Sequence, residues 1–468
     1  MGLISINSFN PAMFCLLNIG FPHVSDFLLM ILSLIIILSY FFNVYSKKSG
    51  IPSVLLLIGV GLIMGLITQY FSPSFKSSNK AELDLLLKVL GTFGLILIVL
   101  EAALDLKLLK EKVWVIVKSL FVATIGLGGT SILGAWFLSY FFVGDFGVLN
   151  KFSECLLITI PLSILSSAII LPSIGELEEK KREFLIYEST FSDIVGIIAF
   201  GFVMSWVSPE KNSGSSDISK LVFGNFGDLF FTIVFSLVIS YVLIYLFQKL
   251  KDHGKLFLLI SVLLFLYSLG HMFGFASLLI ILIFGLVLNN YSLFFRGGLK
   301  DFVLEENVNI TLKDFSVVTT ESAFVVRTFF FILFGWSISV STLFDYRVWL
   351  IGIPLIVIIY LIRSVLLFVF NASFKLDHIN PLLFLAPRGL ITVLLFYSAK
   401  DFVNIAVLGK PDFDFGGVLL FVILTSCLIM SWSLVSEKKK LQKQKEEDFE
   451  IINDESVLVR GEEETIES

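Results

Sequence analysis

Residues 183–200 read EFLIYESTFSDIVGIIAF. After Glu183 the run is apolar but for hydroxyls and two acids, Glu188 and Asp193, and it stays largely apolar to residue 208. Roughly 20 mainly apolar residues suffice to cross a membrane as a helix. Outward from 184–208, similar stretches occur at 26–45, 51–71, 83–104, 113–142, 153–174, 226–248, 255–271, 275–294, 317–342, 346–370, 380–400 and 415–435. Over the 468 residues, hydrophobic residues make up 56%, charged residues 16%, and Phe alone fills 50 positions. A soluble domain is about 45–50% apolar and about 25% charged. This chain cannot give such a fold a polar surface, so a soluble multidomain enzyme and a disordered chain are both excluded. The expectation is an all-α, polytopic membrane protein of about thirteen transmembrane helices.

Charge sets the orientation. Lys plus Arg is 34 and Asp plus Glu is 39, and residues 437–468 hold 6 of the basic and 11 of the acidic ones. The remainder is balanced at 28 and 28, with no basic surplus that would point to nucleic acid. Basic residues collect in cytoplasmic loops. With the N-terminus outside, inside segments carry 21 Lys and Arg, outside segments 9, and spans the other four: Lys118, Arg327, Arg363 and Arg388. The expected plan is therefore an extracytoplasmic segment 1–25, a transmembrane domain 26–436 and a charged cytoplasmic tail 437–468, short-helical or disordered. The start has no basic n-region and no cleavage site, so no cleaved signal peptide is expected. Runs such as 176–183, ELEEKKRE, read as solvated linkers. Cys15, Cys155 and Cys427 lie in apolar stretches without CxxC spacing and read as small core residues, with no disulfide or metal site.

An ionisable group at membrane depth costs at least about 2.5–3.5 kcal/mol and calls for a partner or a job. Glu188 and Asp193 are five residues apart, about 140° around a helix, and should face different neighbours. Ser189 lies four residues before Asp193 on nearly the same face, and Ser192 is adjacent in sequence. A carboxylate with hydroxyls beside it suits a dehydrated alkali cation, which prefers hard oxygen ligands; a hydrogen-bonded core acid is the plainer reading. Arg363, in IPLIVIIYLIRSVLLFVF, has apolar residues on both sides and needs a carboxylate, for which Glu188 is the choice. Glu101, in LILIVLEAALDLKLLK, reads either as an interfacial acid or as a second site carboxylate. Arg327 opens RTFFFILFGW and is expected to snorkel to the inner surface, while His271 and His378 fall in turns.

Two spans carry helix breakers. The fifth, CLLITIPLSILSSAIILPSI, has Pro161 and Pro172 around Ser166 and Ser167; the twelfth, PLLFLAPRGLITVLLFYSA, has Pro381, Pro387, Arg388 and Gly389. Proline removes a donor and clashes with the preceding turn. Backbone freed in this way is tolerated only where it is buried in protein or lines a cavity. The twelfth span is seven positions after the fifth, an odd number, so the two cross in opposite directions. That arrangement fits inverted-topology repeats with two interrupted, crossing helices and an ion site between them, Arg388 offsetting exposed carbonyl ends.

These residues resemble the monovalent cation/proton antiporter superfamily over roughly residues 26–436. The sixth-helix motif of its sodium/proton exchanger branch, Glu-Ser-x-x-Asn-Asp, is matched by Glu188-Ser189-Thr190-Phe191-Ser192-Asp193. The eleventh-helix arginine that pairs with the motif Glu matches Arg363. Leu-Arg-Gly-Ala matches Pro387-Arg388-Gly389-Leu390, and Phe-Glu-Gly-x-Leu matches Leu100-Glu101-Ala102-Ala103-Leu104. The resemblance implies that Asp193 is the shared cation and proton carboxylate, with Ser189, Ser192, Glu101 and Ser167 around it and with Glu188 and Arg363 as a structural ion pair. Two departures stand out. Ser192 replaces the motif Asn, and Ser166-Ser167-Ala168-Ile169-Ile170-Leu171-Pro172 resembles the potassium-efflux branch rather than the Thr-Asp-Pro of the exchangers. The missing carboxylate leaves sodium and potassium both open. The resemblance further implies a homodimer in the cell's inner membrane.

The expected activity is secondary antiport. Burial disfavours the anionic form of a carboxylate and a bound cation favours it, so H⁺ and Na⁺ or K⁺ compete for Asp193. No cofactor is implied, nor any metal beyond the transported alkali ion. A cation-coupled symporter of a small organic solute is the rival, and it would need a polar midplane cavity. An enzyme is not expected, because the chain has no HExxH, Walker loop or GxSxG. Gly59, Gly61 and Gly65 are misspaced for a dinucleotide fingerprint and read as helix packing.

Overall fold

The computed structural model describes residues 24–71, 80–108, 110–142, 148–175, 177–207, 218–249, 255–273, 275–296, 304–338, 340–374, 379–400 and 415–466. The segment 1–23, Cys15, His378 and the Glu176 end of the charged loop lie outside them. The regular structure of the described residues is helical, without strands. In chain order the helices are α1 (Val24–Ser49), α2 (Ser53–Phe71), α3 (Lys80–Asp105), α4 (Val113–Phe142), α5 (Val148–Ser163), α6 (Ser167–Ser173), α7 (Glu179–Val207), α8 (Ile218–Phe247), α9 (Lys255–Met272), α10 (Ser277–Asn289), α11 (Tyr291–Phe294), α12 (Glu305–Ser337), α13 (Val340–Leu343), α14 (Tyr346–Phe374), α15 (Leu390–Lys400) and α16 (Gly416–Ile466).

Among the described residues, ten helices (α5 and α6 taken as one) are long and apolar enough to cross a membrane. Shorter apolar helices cover Leu258–Met272, Ser277–Asn289 and Leu390–Ala399. Each falls within or overlaps one of the stretches read from the sequence. The outer surface is what a lipid environment requires. Leu29, Ile37 and Phe41 on α1, Phe121 and Trp136 on α4, and Phe368 and Val369 on α14 are all exposed. So large an apolar surface belongs against acyl chains rather than water. One continuous core, rich in Phe284, Phe315, Phe330, Phe331 and Phe334, runs through the interior.

Local signals explain the helix ends. Gly50 stops α1 in the left-handed region at φ 76°, its N–H returning to the Ser46 carbonyl at 2.9 Å. Gly61 fits as a packing residue. A Cβ there would lie 2.2 Å from the Ile332 carbonyl and 3.0 Å from Gly335 Cα, so α2 and α12 touch backbone to backbone. Gly59, by contrast, faces open space.

The tail differs from expectation. Rather than a short or separate element, it continues the last span without interruption as α16, 51 residues long. No proline follows Gly416 in that helix, and Lys, Glu and Gln propagate helix well. The twelfth stretch also differs from a broken helix with two helical arms. Residues 379–389 form turns and irregular backbone, and only α15 is helical, 11 residues or roughly 17 Å long.

Candidate functional site

The fifth span breaks where its serines stand. Pro161 is the last residue but two of α5, helix resumes at Ser167, and Ile164, Leu165 and Ser166 between them are buried. Their backbone groups therefore need partners from elsewhere. The Ser166 N–H donates to the Pro387 carbonyl at 3.0 Å, so the two interrupted segments meet backbone to backbone. The Leu165 N–H donates to Ser192 Oγ at 2.9 Å. Only glycine fits opposite this junction, because a Cβ on Gly389 would lie 2.2 Å from Ser166 Oγ.

Asp193 lies against the break. It is 2% exposed. Ser167, at the start of α6, donates its hydroxyl to Asp193 Oδ2. Oδ1 is equally buried and has no hydrogen-bond partner among the described residues. Buried carboxylate oxygens are normally satisfied. An oxygen held ready next to freed backbone at a helix break is suited to bind a proton or a small cation.

The other acid of the motif is fully engaged. Arg363 NH1 donates to Glu188 Oε1 at 2.7 Å and NH2 to Oε2 at 3.2 Å, while Nε donates to the Leu382 carbonyl at 2.9 Å. Both side chains are buried. The pair thus joins α7, α14 and the turn before α15. Arg388 serves the break differently. Its NH1 donates to the Ser163 carbonyl, the last residue of α5, at 2.8 Å, and its own N–H donates to Ser426 Oγ at 3.1 Å. A cation at a helix C-terminus offsets its exposed carbonyls.

Not every expected site residue gathers at Asp193. Ser189 is buried but donates to the Ile186 carbonyl of its own helix at 3.3 Å, and Ser192 is taken by Leu165. Glu101 lies on α3 and accepts from Arg327 NH2 at 3.3 Å. Arg327 therefore does not snorkel to an interface: Glu101, on a helix packed against its own, offers an opposite charge nearer than the headgroups. Both line a cavity of about 500 Å³ whose wall includes Ser167. Asp105 and Glu321 line it too and escaped the sequence reading. Asp105 is four residues past Glu101, hence on the same helix face, which is the signal that could have found it.

The profile of the family described as "Sodium/hydrogen exchanger, transmembrane" matches residues 31–436. The chain belongs to that family. It is thus a multi-pass membrane protein of the cation/proton antiporter class, a transporter family rather than an enzyme family. A structure of the sodium proton antiporter MjNhaP1 from Methanocaldococcus jannaschii at pH 8 superposes with a TM-score of 0.66 at 19% identity, covering 87% of this chain and 98% of that one. A second structure of MjNhaP1, from an electron-microscopy map, gives 0.58 at 18% identity over 88% and 97%. At that identity the likeness shows the shared fold. Comparison with curated proteins gives no significant sequence match.

Proposed function

We propose that this protein exchanges Na⁺ or K⁺ for H⁺ by alternating access, the two ions competing for Asp193. The observation that carries the reading is the state of that side chain. It is a buried acid at the break of the fifth span, with one oxygen on Ser167 and the other without a partner. Proton or cation binding neutralises the carboxylate, so either loaded form crosses the low-dielectric barrier at lower cost than the bare anion. Glu188 is paired with Arg363 and takes no part in the count. One titrating carboxylate then moves one charge in each direction, and exchange is electroneutral.

The N-terminus lies outside and α16 projects into the cytoplasm, as the 21-to-9 distribution of basic residues supports. The transporting unit is 26–436, with Ser167 the direct ligand neighbour of Asp193, Ser189, Ser192 and Glu101 in its surroundings, and Arg388 compensating the broken helix. The protein works in the inner membrane, as a homodimer by family resemblance. Proteoliposomes with a pH-reporting dye test this. Na⁺, K⁺ and Li⁺ chlorides are added in turn, and wild type should show cation-driven proton flux that Asp193→Asn lacks. Flux retained by Asp193→Asn removes the carboxylate from the mechanism.

A further inference from the structure

Besides the buried pair at Glu188, a second charged pair, Glu101 and Arg327, lines the cavity that Ser167 also lines. The 500 Å³ cavity between α3, α12 and their neighbours carries three carboxylates, Glu101, Asp105 and Glu321, and a single guanidinium, Arg327, among its described lining residues. With all four ionised its net charge is −2. Arg327 reaches Glu101 through one contact of 3.3 Å on one oxygen, with the two side chains 16% and 14% exposed. That is a loose geometry compared with the two-oxygen grip of Arg363 on Glu188. Ser167, the residue that holds Asp193, is part of the wall of the same cavity.

We infer that Arg327 is a positioning residue that sets cation affinity: a tethered cation that occupies Glu101 so that the transported ion does not stop there. This rests on the proposed antiport at Asp193. An access route must attract a cation yet release it. Three unopposed carboxylates would hold an alkali ion short of Asp193. With Glu101 covered, Asp105 and Glu321 still draw cations in, and the strongest unsatisfied oxygen met beyond Ser167 is that of Asp193.

The test is the cation KM in proteoliposomes for wild type, Arg327→Gln, Glu101→Gln and the double variant. One unit charge altered about 10 Å from the ion, at an effective dielectric between about 20 and 80, changes affinity about two- to fifteenfold. Arg327→Gln should lower KM by that factor. Glu101→Gln should raise it, since the freed guanidinium then repels the ion. The double variant restores the net charge and should return to within about twofold of wild type, and Arg327→Lys should keep the wild-type KM. An unchanged KM in Arg327→Gln overturns the proposal, as does a double variant no better than Glu101→Gln, which would make Glu101 a direct ligand. If Arg327→Gln and Arg327→Met both fail to yield monodisperse protein while Arg327→Lys succeeds, the pair is structural and the proposal also fails. Asp193→Asn, run in the same vesicles, separates the two readings. Flux surviving there sinks the antiport mechanism, whereas its loss alongside an unaltered Arg327 series sinks only this inference.

Discussion

Replacing Arg363 by Ala should destabilise the protein more than removing its partner as well. The substitution deletes two charge-assisted hydrogen bonds to Glu188 and one to the Leu382 carbonyl, at 2.7, 3.2 and 2.9 Å. It also strands a carboxylate that is 2% exposed. Breaking a buried pair by removing one partner costs about 3–5 kcal/mol. At about 1.4 kcal/mol per factor of ten, the ratio of folded to unfolded protein falls by about two to three and a half orders of magnitude. The double variant Arg363→Met, Glu188→Met has no stranded charge and no stranded amide. It loses mainly the bond to Leu382, about 1–3 kcal/mol for an acceptor left unsatisfied. Thermal unfolding in detergent, followed by size-exclusion chromatography, should rank wild type first, the double variant second and Arg363→Ala a distant third. A single variant as stable as wild type, or a double variant worse than the single, would refute the pairing as the source of rigidity between α7 and α14.

Three further outcomes are expected. Ser167→Ala removes the donor to Asp193 without altering charge. A hydrogen bond to a charged group is worth about 1.5–3 kcal/mol, so cation KM should change about tenfold or more with folded yield intact; an unchanged KM would exclude Ser167 from the site. Gly389→Ala places a Cβ 2.2 Å from Ser166 Oγ, which should separate the two interrupted segments at about 1–3 kcal/mol and sharply reduce transport. Normal melting and flux in Gly389→Ala would show the junction to be tolerant. Outside the membrane, hydrogen bonds from the Arg347 guanidinium, then from its backbone N–H, hold Asp345 below the ordinary carboxylate range. A depressed folded-state value contributes stability above the unfolded-state pKa of about 3.9, and that contribution is lost as pH falls through the folded one. The melting difference between wild type and Asp345→Asn should therefore shrink from pH 5 to pH 3, and a constant difference would contradict the linkage.

The spans were legible because crossing a membrane demands long apolar runs, and these survive any uncertainty about helix ends. The breaks were legible because Pro161, Pro172, Pro381 and Pro387 cluster around them, and each removes a backbone donor and crowds the preceding turn. How each break would be filled was not. The bond from Ser166 to Pro387 joins residues more than 200 positions apart, and nothing local encodes it. The same holds for the Ser163 carbonyl on Arg388, and the Leu382 carbonyl reaches Arg363 only through the turn that follows α14. Arg327 was misread because mean hydropathy locates a charge along a helix without saying that an acid waits on the neighbouring one. Asp105 and Glu321 were passed over because each lies near a span end, where a charge needs no explanation. The length of α16 was missed because a charged run reads as solvated whether it is helical or not.

Competition for one carboxylate is tested most directly in purified protein without any membrane gradient. Alkali chloride is added to weakly buffered, detergent-solubilised protein, and released protons are measured beside bound cation. Competition at Asp193 predicts about one proton released per cation bound and none from Asp193→Asn. Cation binding without proton release in the wild type, or equal release from Asp193→Asn, would contradict it.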